Sequence, residues 1–580
     1  MAEQVDDFRR HASGRKVSLL LVVAAVIGAL TGALAVAFRF LLLEATELLW
    51  SESYDLVAAC ASMSWYTIML IPVLGGLVVG PLVEKFAPEA RGAGVSEVIA
   101  AVVTRDGNIR HRTTLFKMVA TLISLGSGAS VGREGPIVHI GSSVGSSIAQ
   151  LLGMAAEWKR VFLACGAAAG IAATFNAPMA GMLFAAEIIL VDFQVNYLSQ
   201  IAVSSVVATV VSHHFLGSFP AFDVPSFQLV SYWEIPGYFA LGLLAGLLAI
   251  LFIRSTALVE DGFSAMQVPR WLRPAIGGIF VGLIALWCPY ALGVGYLAVN
   301  RVLSAELLPA MMLAILLAKF LATSCSVGAG FSGGILAPSL VMGALLGGTF
   351  GSLLHTFAPE QVAAFPVYGL VGMAAMVSGT TLAPITAIFT IFELTYNFEI
   401  ILPLMTSCIA SLLVVQTFYG LSIYESRLVR KGMKIVRGRD VTLLRSLQVV
   451  EYMDSDFEKI FENLSLGKLA QLAQESYYPH FVVLNAQHQL VGMVSMRDLK
   501  ACLSEMGELS ELVLVSEIMT RKVVTITPDQ SLEDAFELFE GKQISTLPVV
   551  DVRDAQRVVG MLKKSALIQA YSQNILKVGL

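Results

Sequence analysis

Residues 126–145 read GSGASVGREGPIVHIGSSVG, and residues 328–347 read GAGFSGGILAPSLVMGALLG. With the chain shifted by 202 positions, Ser124, Gly126, Gly128, Ser130, Gly132, Pro136, Gly141 and Gly145 fall on Ser326, Gly328, Gly330, Ser332, Gly334, Pro338, Gly343 and Gly347. A second match follows at an offset of 206. Ala177, Pro178 and Glu187 of NAPMAGMLFAAE fall on Ala383, Pro384 and Glu393 of LAPITAIFTIFE. Both segments lie within apolar stretches, so the chain contains an internal duplication built around two Gly/Ser/Pro-broken intramembrane segments. Broken backbone at membrane depth is tolerated only where it is buried in protein or lines a watery cavity. Two such segments in corresponding positions of two halves point to a transporter binding site. The repeat leaves the relative orientation of the halves open; inverted halves would let both breaks meet at the midplane.

The composition around these segments excludes most other classes. Of 580 residues, 56% are hydrophobic and 14% charged, and mean hydropathy is +0.74. A soluble chain carries about 25% charge, so a soluble enzyme does not fit, and a net charge of −5 gives no basic field for nucleic acid. Charge is also uneven: 15 of the 240 residues from 161 to 400 are Asp, Glu, Lys or Arg, against 38 of the 154 from 427 to 580. The first density suits hydrocarbon and the second a globular domain in water.

The first apolar run, 17–38, is long enough to span and follows Arg9, Arg10, Arg15 and Lys16 without a small-residue cleavage site. It reads as a retained helix. Further runs lie near 66–84, 115–130, 161–190, 199–215, 236–254, 274–292, 307–323, 334–357, 366–392 and 400–421, and Arg427, Arg430, Lys431, Lys434, Arg437 and Arg439 follow the last. Basic flanks at both ends place both termini in the cytoplasm. Cys60, Cys165, Cys288, Cys325, Cys408 and Cys502 form no CxxC and read as scattered thiols.

The polar C-terminal part repeats as well. PHFVVLNAQHQLVGMVSMRDL (479–499) resembles LPVVDVRDAQRVVGMLKKSAL (547–567), each reading as strand, turn, strand and helix. Ahead of the second unit, Thr527-Pro528-Asp529 leads into an amphipathic helix with Leu532, Ala535, Phe536 and Phe539 on one face.

The chemistry concentrates in the first broken segment. Glycines let successive N–H groups point one way, and such a nest binds anions. Pro136 fits the first turn of a helix whose N-terminal dipole favours negative charge. Two such helix starts facing one point make an anion site that needs no Lys or Arg. Glu134 stands inside this segment: ionised, its carboxylate competes for the anion's place, and protonated it can leave. The bland alternative is a helix-start Glu complementing the dipole, but intramembrane acids are functional by default. His139 reads as a packed polar residue, and Arg133 either sets the potential of the mouth or pairs with a neighbouring acid. No HExxH, GxSxG or Walker sequence occurs, which leaves an intramembrane enzyme or ATP-driven pump without support.

GREGP (132–136), GGILAP (333–338) and NAPMAGMLFAAE resemble the CLC family of chloride channels and proton/chloride exchangers, and the C-terminal repeats resemble a pair of CBS domains. The resemblance implies an all-α polytopic membrane domain of inverted repeats, assembled as a homodimer with one pore per subunit, followed by a cytoplasmic α/β CBS pair. It assigns Glu134 as the gating glutamate and the backbone amides of Gly132, Arg133, Gly135, Ile335, Leu336 and Ala337 as the anion cradle. Tyr424 in GLSIYE resembles the family's pore tyrosine, with Tyr419 as competitor and an interfacial aromatic anchor as the bland reading.

Three departures stand out. GAGVSE (92–97) replaces the usual GSGIPE, so Ala93 removes a hydroxyl donor, a net of about 0.5–1.5 kcal/mol at the anion, and Ser96 replaces a proline. Leu336 replaces a phenylalanine and leaves room for a wider pore. Ile188 stands where exchangers usually carry a proton-accepting glutamate, so proton-path candidates are Glu134, Glu187 and water past Ile188. Glu187 itself matches the structural member of the family's acid pair. In the CBS pair, Asp498 matches the acid that holds a ribose in nucleotide-binding members, while the second unit has Ser565 there.

The sequence therefore reads as a CLC-like transmembrane domain over 1–435 with CBS domains at 440–505 and 514–575, in a bacterial inner membrane. Its function reads as transmembrane anion transport, gated by Glu134 with some proton coupling. Expected partners are chloride and other small anions, protons, lipid and a second copy, with no nucleic acid. No cofactor is required, and an adenine nucleotide is a candidate ligand of the CBS pair. The alternatives are a passive gated channel and a membrane-tethered nucleotide sensor.

Overall fold

The computed structural model describes residues 2–51, 55–86, 94–191, 195–217, 222, 230–433, 447–476, 478–506, 512–542, 544–567 and 570. The chain divides into two units, Met1–Ile435 and Val436–Leu580.

In the first unit, one half consists of α1 (Ala2–Trp50), α2 (Leu56–Ser62), α3 (Trp65–Phe86), α4 (Gly94–Thr104), α5 (His111–Gly126), α6 (Glu134–Leu151), α7 (Ala156–Phe175), α8 (Pro178–Phe184, continued by a π-helical turn over Ala185–Leu190) and α9 (Val195–Leu216). The other consists of α10 (Ile235–Ala265), α11 (Arg273–Trp287), α12 (Tyr296–Leu303), α13 (Pro309–Ala329), α14 (Leu336–Phe357), α15 (Phe365–Thr381), α16 (Pro384–Thr395), α17 (Ile401–Phe418) and α18 (Ile423–Arg430). Among the described residues, eight helical segments, from Ser18–Trp50 to Ile401–Arg430, are long and apolar enough to cross a membrane. The apolar helices 94–104, 113–126, 178–190 and 384–395 are shorter than a crossing requires.

Two runs that read as continuous in the sequence, 161–190 and 366–392, are each broken. Asn176 and Leu382 both take left-handed backbone, with φ of 56° at each, and the following Ala177 and Ala383 are non-helical before Pro178 and Pro384. A residue before proline is pushed out of the helical region, which explains why α7 and α15 stop there. Asn tolerates the left-handed region, whereas Leu382 bears a cost of about 1–2 kcal/mol. Both breaks release a new helix start inside the protein.

The helix pairs α6·α7 and α14·α15 pack by the same close approach. A methyl group on Gly141 would lie 2.1 Å from the Gly166 carbonyl oxygen, and one on Gly343 would lie 2.3 Å from that of Gly372. Neither position has room for any other residue.

The second unit holds a three-stranded sheet, β1 (Lys459–Phe461), β2 (His480–Leu484) and β3 (Leu490–Ser495), with β1–β2 parallel and β2–β3 antiparallel. Helix Leu466–Glu475 makes the crossover that a parallel pair requires. The second repeat is the antiparallel pair β4 (Thr546–Val550) and β5 (Val558–Lys563), preceded by helix Leu532–Lys542. The strand–turn–strand–helix reading matches both repeats up to residue 567. Val482, Leu484 and Met561 form a small core shared by the two repeats, and Leu490 N donates to Gln556 O at 2.8 Å.

Candidate functional site

The two broken segments meet, and they meet reciprocally. Gly132 N donates to Gly334 O at 2.7 Å while Gly334 N donates to Gly132 O at 2.6 Å. Ser130 N donates to Ser326 Oγ at 3.0 Å, and Ser332 N donates to Ser124 Oγ at 3.1 Å. The Ser130–Thr323 and Thr121–Ser332 hydroxyl pairs, both at 3.0 Å, repeat the exchange. Contacts in which i meets j′ and j meets i′ are those of a two-fold axis, here running between two segments of one chain. Each segment satisfies its partner's buried donors, as interior backbone requires.

This bridge corrects one sequence expectation. The Gly132 amide cannot face an anion, because its single N–H is spent on Gly334. The amides of Arg133 and Gly135 precede or open α6, and those of Ile335, Leu336 and Ala337 precede or open α14, where a helix offers no intrahelical acceptor. These fit a cradle. Gly132 matters through its lack of a side chain: a methyl there would lie 2.5 Å from Glu134 Oε2 and 3.3 Å from Ala337 N. Glu134 Oε2 and the Ala337 amide at the start of α14 thus flank the same point beside Gly132.

Glu134 is 1% exposed. Its Oε1 accepts from the Tyr296 hydroxyl at 2.7 Å, and Arg133 Nε stands 3.9 Å from the same oxygen. Its Oε2 is buried without a hydrogen-bond partner. An acceptor left bare in the interior is costly, and a proton or the displacement of the side chain relieves it.

Glu134 lines a cavity with Val95, Gly135, Ile335, Leu336 and Tyr424, together with Val138, Ile171, Phe184 and Gly334. The cavity brings Glu134 together with Gly135, Ile335, Leu336 and Tyr424 of the anion-site residues read from the sequence. Tyr424 is 1% exposed and sits in the first turn of α18, whose start is fixed by a reciprocal cap between Ser422 and Glu425. Ser96 Oγ donates to the Tyr424 carbonyl at 3.4 Å, tying α4 to α18. The Tyr419 hydroxyl is engaged with Ser426 Oγ at 2.9 Å, and Tyr419 is not part of this lining. Ala93 lies outside the described residues.

A second cavity is lined by Ile188, Thr386, Thr390, Val377 and Leu340, and shares Ile171, Phe184 and Leu336 with the first. Leu336, in the place of the phenylalanine, lines both cavities together with Phe184 and Ile171. Glu187, in the π-helical turn, accepts from Ile385 N at 3.2 Å and from Thr386 N and Thr386 Oγ1 at 2.7 Å each. Glu393 does the same in reverse, accepting from Met179 N at 2.9 Å and Ala180 N at 2.7 Å. Each carboxylate caps the helix start freed by the other repeat's Ala-Pro break, a placement the dipole favours. Ile188 is 6% exposed and faces the second cavity.

Sequence reasoning missed Tyr296 and a pair of buried lysines. Lys117 on α5 and Lys319 on α13 are both fully buried and stand 202 positions apart, so the repeat offset already pointed to them. Lys319 Nζ donates to Ala291 O at 3.1 Å and Gly293 O at 2.7 Å, whereas Lys117 lies within electrostatic reach of Glu97, which pairs with Lys431. His139 is buried with Nδ1 unpartnered. In the second unit, Asp498 Oδ2 accepts from Ser495 N at 3.1 Å and Ser495 Oγ at 2.6 Å, capping helix Met496–Met506. Among the described residues no cluster of His, Cys, Asp and Glu fits a metal ion.

Comparison with known proteins places these features in one lineage. The family model described as voltage gated chloride channel matches residues 75–416, and the CBS domain model matches 449–505 and 515–573. A ClcB-like chloride channel protein of Ralstonia nicotianae is 34% identical over 416 residues, covering 71% of this chain and 97% of its own. The H(+)/Cl(-) exchange transporter ClcA of Cronobacter sakazakii is 32% identical over 422 residues, covering 71% and 89%. The crystal structure of a slow cyanobacterial Cl-/H+ antiporter aligns with a TM-score of 0.65 at 25% identity, covering 71% of this chain and 97% of the other.

Proposed function

The chain belongs to the voltage gated chloride channel family, and from that premise we propose that it moves chloride across a membrane in exchange for protons, with Glu134 as the gate. The observation that carries this reading is the Glu134 carboxylate itself. It opens α6, lines the same cavity as Ile335, Leu336 and Tyr424, and leaves one oxygen bare. An ionised carboxylate there fills an anion's place. Protonation removes its charge, weakens its hold on the helix dipoles, and opens the path to chloride through Arg133, Gly135, Ile335, Leu336, Ala337 and Tyr424.

The proton's inner route avoids Ile188, which has no site for one. We assign it to water in the second cavity, where the Thr386 and Thr390 hydroxyls supply polar partners. Glu187, which accepts three hydrogen bonds, acts as a helix cap on this reading. The same premise extends to a homodimer in a bacterial inner membrane with cytoplasmic termini, supported by the basic flanks at 9–16 and 427–439. At the CBS pair an adenine nucleotide would meet Asp498 with its Oδ1 edge, since Oδ2 is engaged in the cap.

Purified full-length protein in liposomes tests the main proposal. A chloride gradient is expected to drive uphill proton movement in the wild type, and Glu134→Gln is expected to stop it while chloride still flows. Chloride movement without any proton signal in the wild type makes the protein a passive channel.

A further inference from the structure

We propose that Tyr296 is the latch of the gate: its phenol holds the ionised Glu134 side chain at the start of α6 and sets the pH at which the gate lets go. This rests on the gating role of Glu134 and assigns a positioning residue to it.

The geometry is that of a built contact. Tyr296 opens α12 directly after Gly295, which takes left-handed backbone at φ 92°. Its hydroxyl has one partner oxygen, Glu134 Oε1 at 2.7 Å. The ring is held by Phe222, edge-on at 5.0 Å, and by the Arg133 guanidinium 5.5 Å above it. The loop that presents the ring is also fixed. Lys319 binds the carbonyls of Ala291 and Gly293, and Gly293 N donates to Gly128 O at 3.1 Å, tying the loop to the first broken segment. A loop pinned to the segment that carries Glu134 moves with it, so the phenol keeps its register with the carboxylate.

A hydroxyl donor strengthens an ionised carboxylate far more than a neutral one. The latch therefore favours the closed, ionised gate over the open, protonated one. The charged and titratable groups facing Glu134 are Arg133 from its own loop, Tyr296 of α12, Lys319 of α13 and Tyr424 of α18, with Arg39 of α1 acting on Tyr296. Of these, Tyr296 and Arg133 are the groups whose distances place them against the carboxylate, and Tyr296 is the one that makes a hydrogen bond of ordinary length.

The experiment is chloride efflux from liposomes at matched pH on both sides, over a pH series. Tyr296→Phe keeps the ring and removes the donor. The midpoint of acid activation is expected to move to higher pH by about one unit, the size of a hydrogen bond to a charged group. A fluorinated tyrosine at 296, a stronger donor of nearly the same size, is expected to move it to lower pH. In a Glu134→Gln background Tyr296→Phe is expected to change nothing, because the latch acts through the carboxylate. Opposite shifts with silence in that background establish the latch. An unmoved midpoint in both single variants, or an effect of Tyr296→Phe that persists without Glu134, overturns it and leaves Tyr296 as packing. If Glu134→Gln itself keeps the wild-type pH profile, the gate assignment fails, and the latch with it.

Discussion

Positions 134 and 336 occupy the same place in the two repeats, the first residue of a helix that follows a glycine-rich break. One carries a carboxylate and the other an isobutyl group. Positions 296 and 94, each opening a short helix 202 residues from the other, differ in the same way: a tyrosine against a glycine. The matched pairs behave differently. Glu187 and Glu393 each cap the other repeat's helix; Ser130 N donates to Ser326 Oγ and, across the axis, Ser332 N donates to Ser124 Oγ. Residues that agree between the halves here build the scaffold, and the two mismatched residues, Glu134 and Tyr296, meet each other in one hydrogen bond. Lys117 and Lys319 extend the matched set, sharing a fully buried place in the two halves.

Substitutions test this division. The largest effect is expected at the mismatched acid: Glu134→Gln abolishes proton coupling and flattens the pH dependence of chloride flux, read by paired chloride and pH electrodes. Next come the matched acids. Glu187→Gln and Glu393→Gln each weaken the accepting of two backbone N–H groups and are expected to destabilise the protein by a similar ~1–3 kcal/mol, seen as lowered thermal midpoints in detergent, with the proton-to-chloride ratio unchanged. Loss of coupling in Glu187→Gln alone, with chloride flux intact, would break the rule and make Glu187 a relay.

A smaller effect is expected at Ala93, whose repeat mate is Gly295. Ala93→Ser restores a hydroxyl and is expected to tighten chloride binding at most about tenfold, ~1.4 kcal/mol, by calorimetry. Equal affinity in the two proteins removes position 93 from the site.

The smallest effect lies in the second unit. Burial holds the His480 imidazole below its ordinary range, with Asp498 opposing and Lys563 reinforcing the shift, and its Nδ1 lies 3.1 Å from Thr546 Oγ1. The unfolded chain then binds the proton more readily, so stability is present above about pH 6.5 and is lost as pH falls through it. Amide exchange in 480–484 and 546–550, corrected for intrinsic rates, is expected to quicken below that pH and to lose this dependence in His480→Gln.

The duplication, the two broken segments, Glu134 and the CBS repeats were all readable because spacing of Gly, Ser and Pro encodes backbone shape directly. Tyr424 and Glu187 were readable as residues, and the role of Glu187 as a cap follows from a partner 198 positions away. Tyr296 was not readable. Its partner is 162 residues distant, and its repeat mate is glycine, so neither local pattern nor the internal match marks it. The fate of the Gly132 amide was hidden for a related reason. A backbone donor carries no side-chain signature, and only the meeting of the two segments decides which carbonyl it faces. The Lys117–Lys319 pair, by contrast, lay in plain view at the same offset as the serines.

The reciprocal seam between the broken segments also sets a schedule for synthesis. Ser130 N waits for Ser326, which is 196 residues further along the chain, and Gly132 waits for Gly334. At a ribosomal pace of about 5–20 residues per second, the first segment spends roughly ten to forty seconds in or near the bilayer before its donors find their acceptors. During that interval its glycine-rich backbone must be sheltered by water, lipid headgroups or an insertion chaperone, so slowing translation between 145 and 326 is expected to expose the nascent half to quality-control proteolysis.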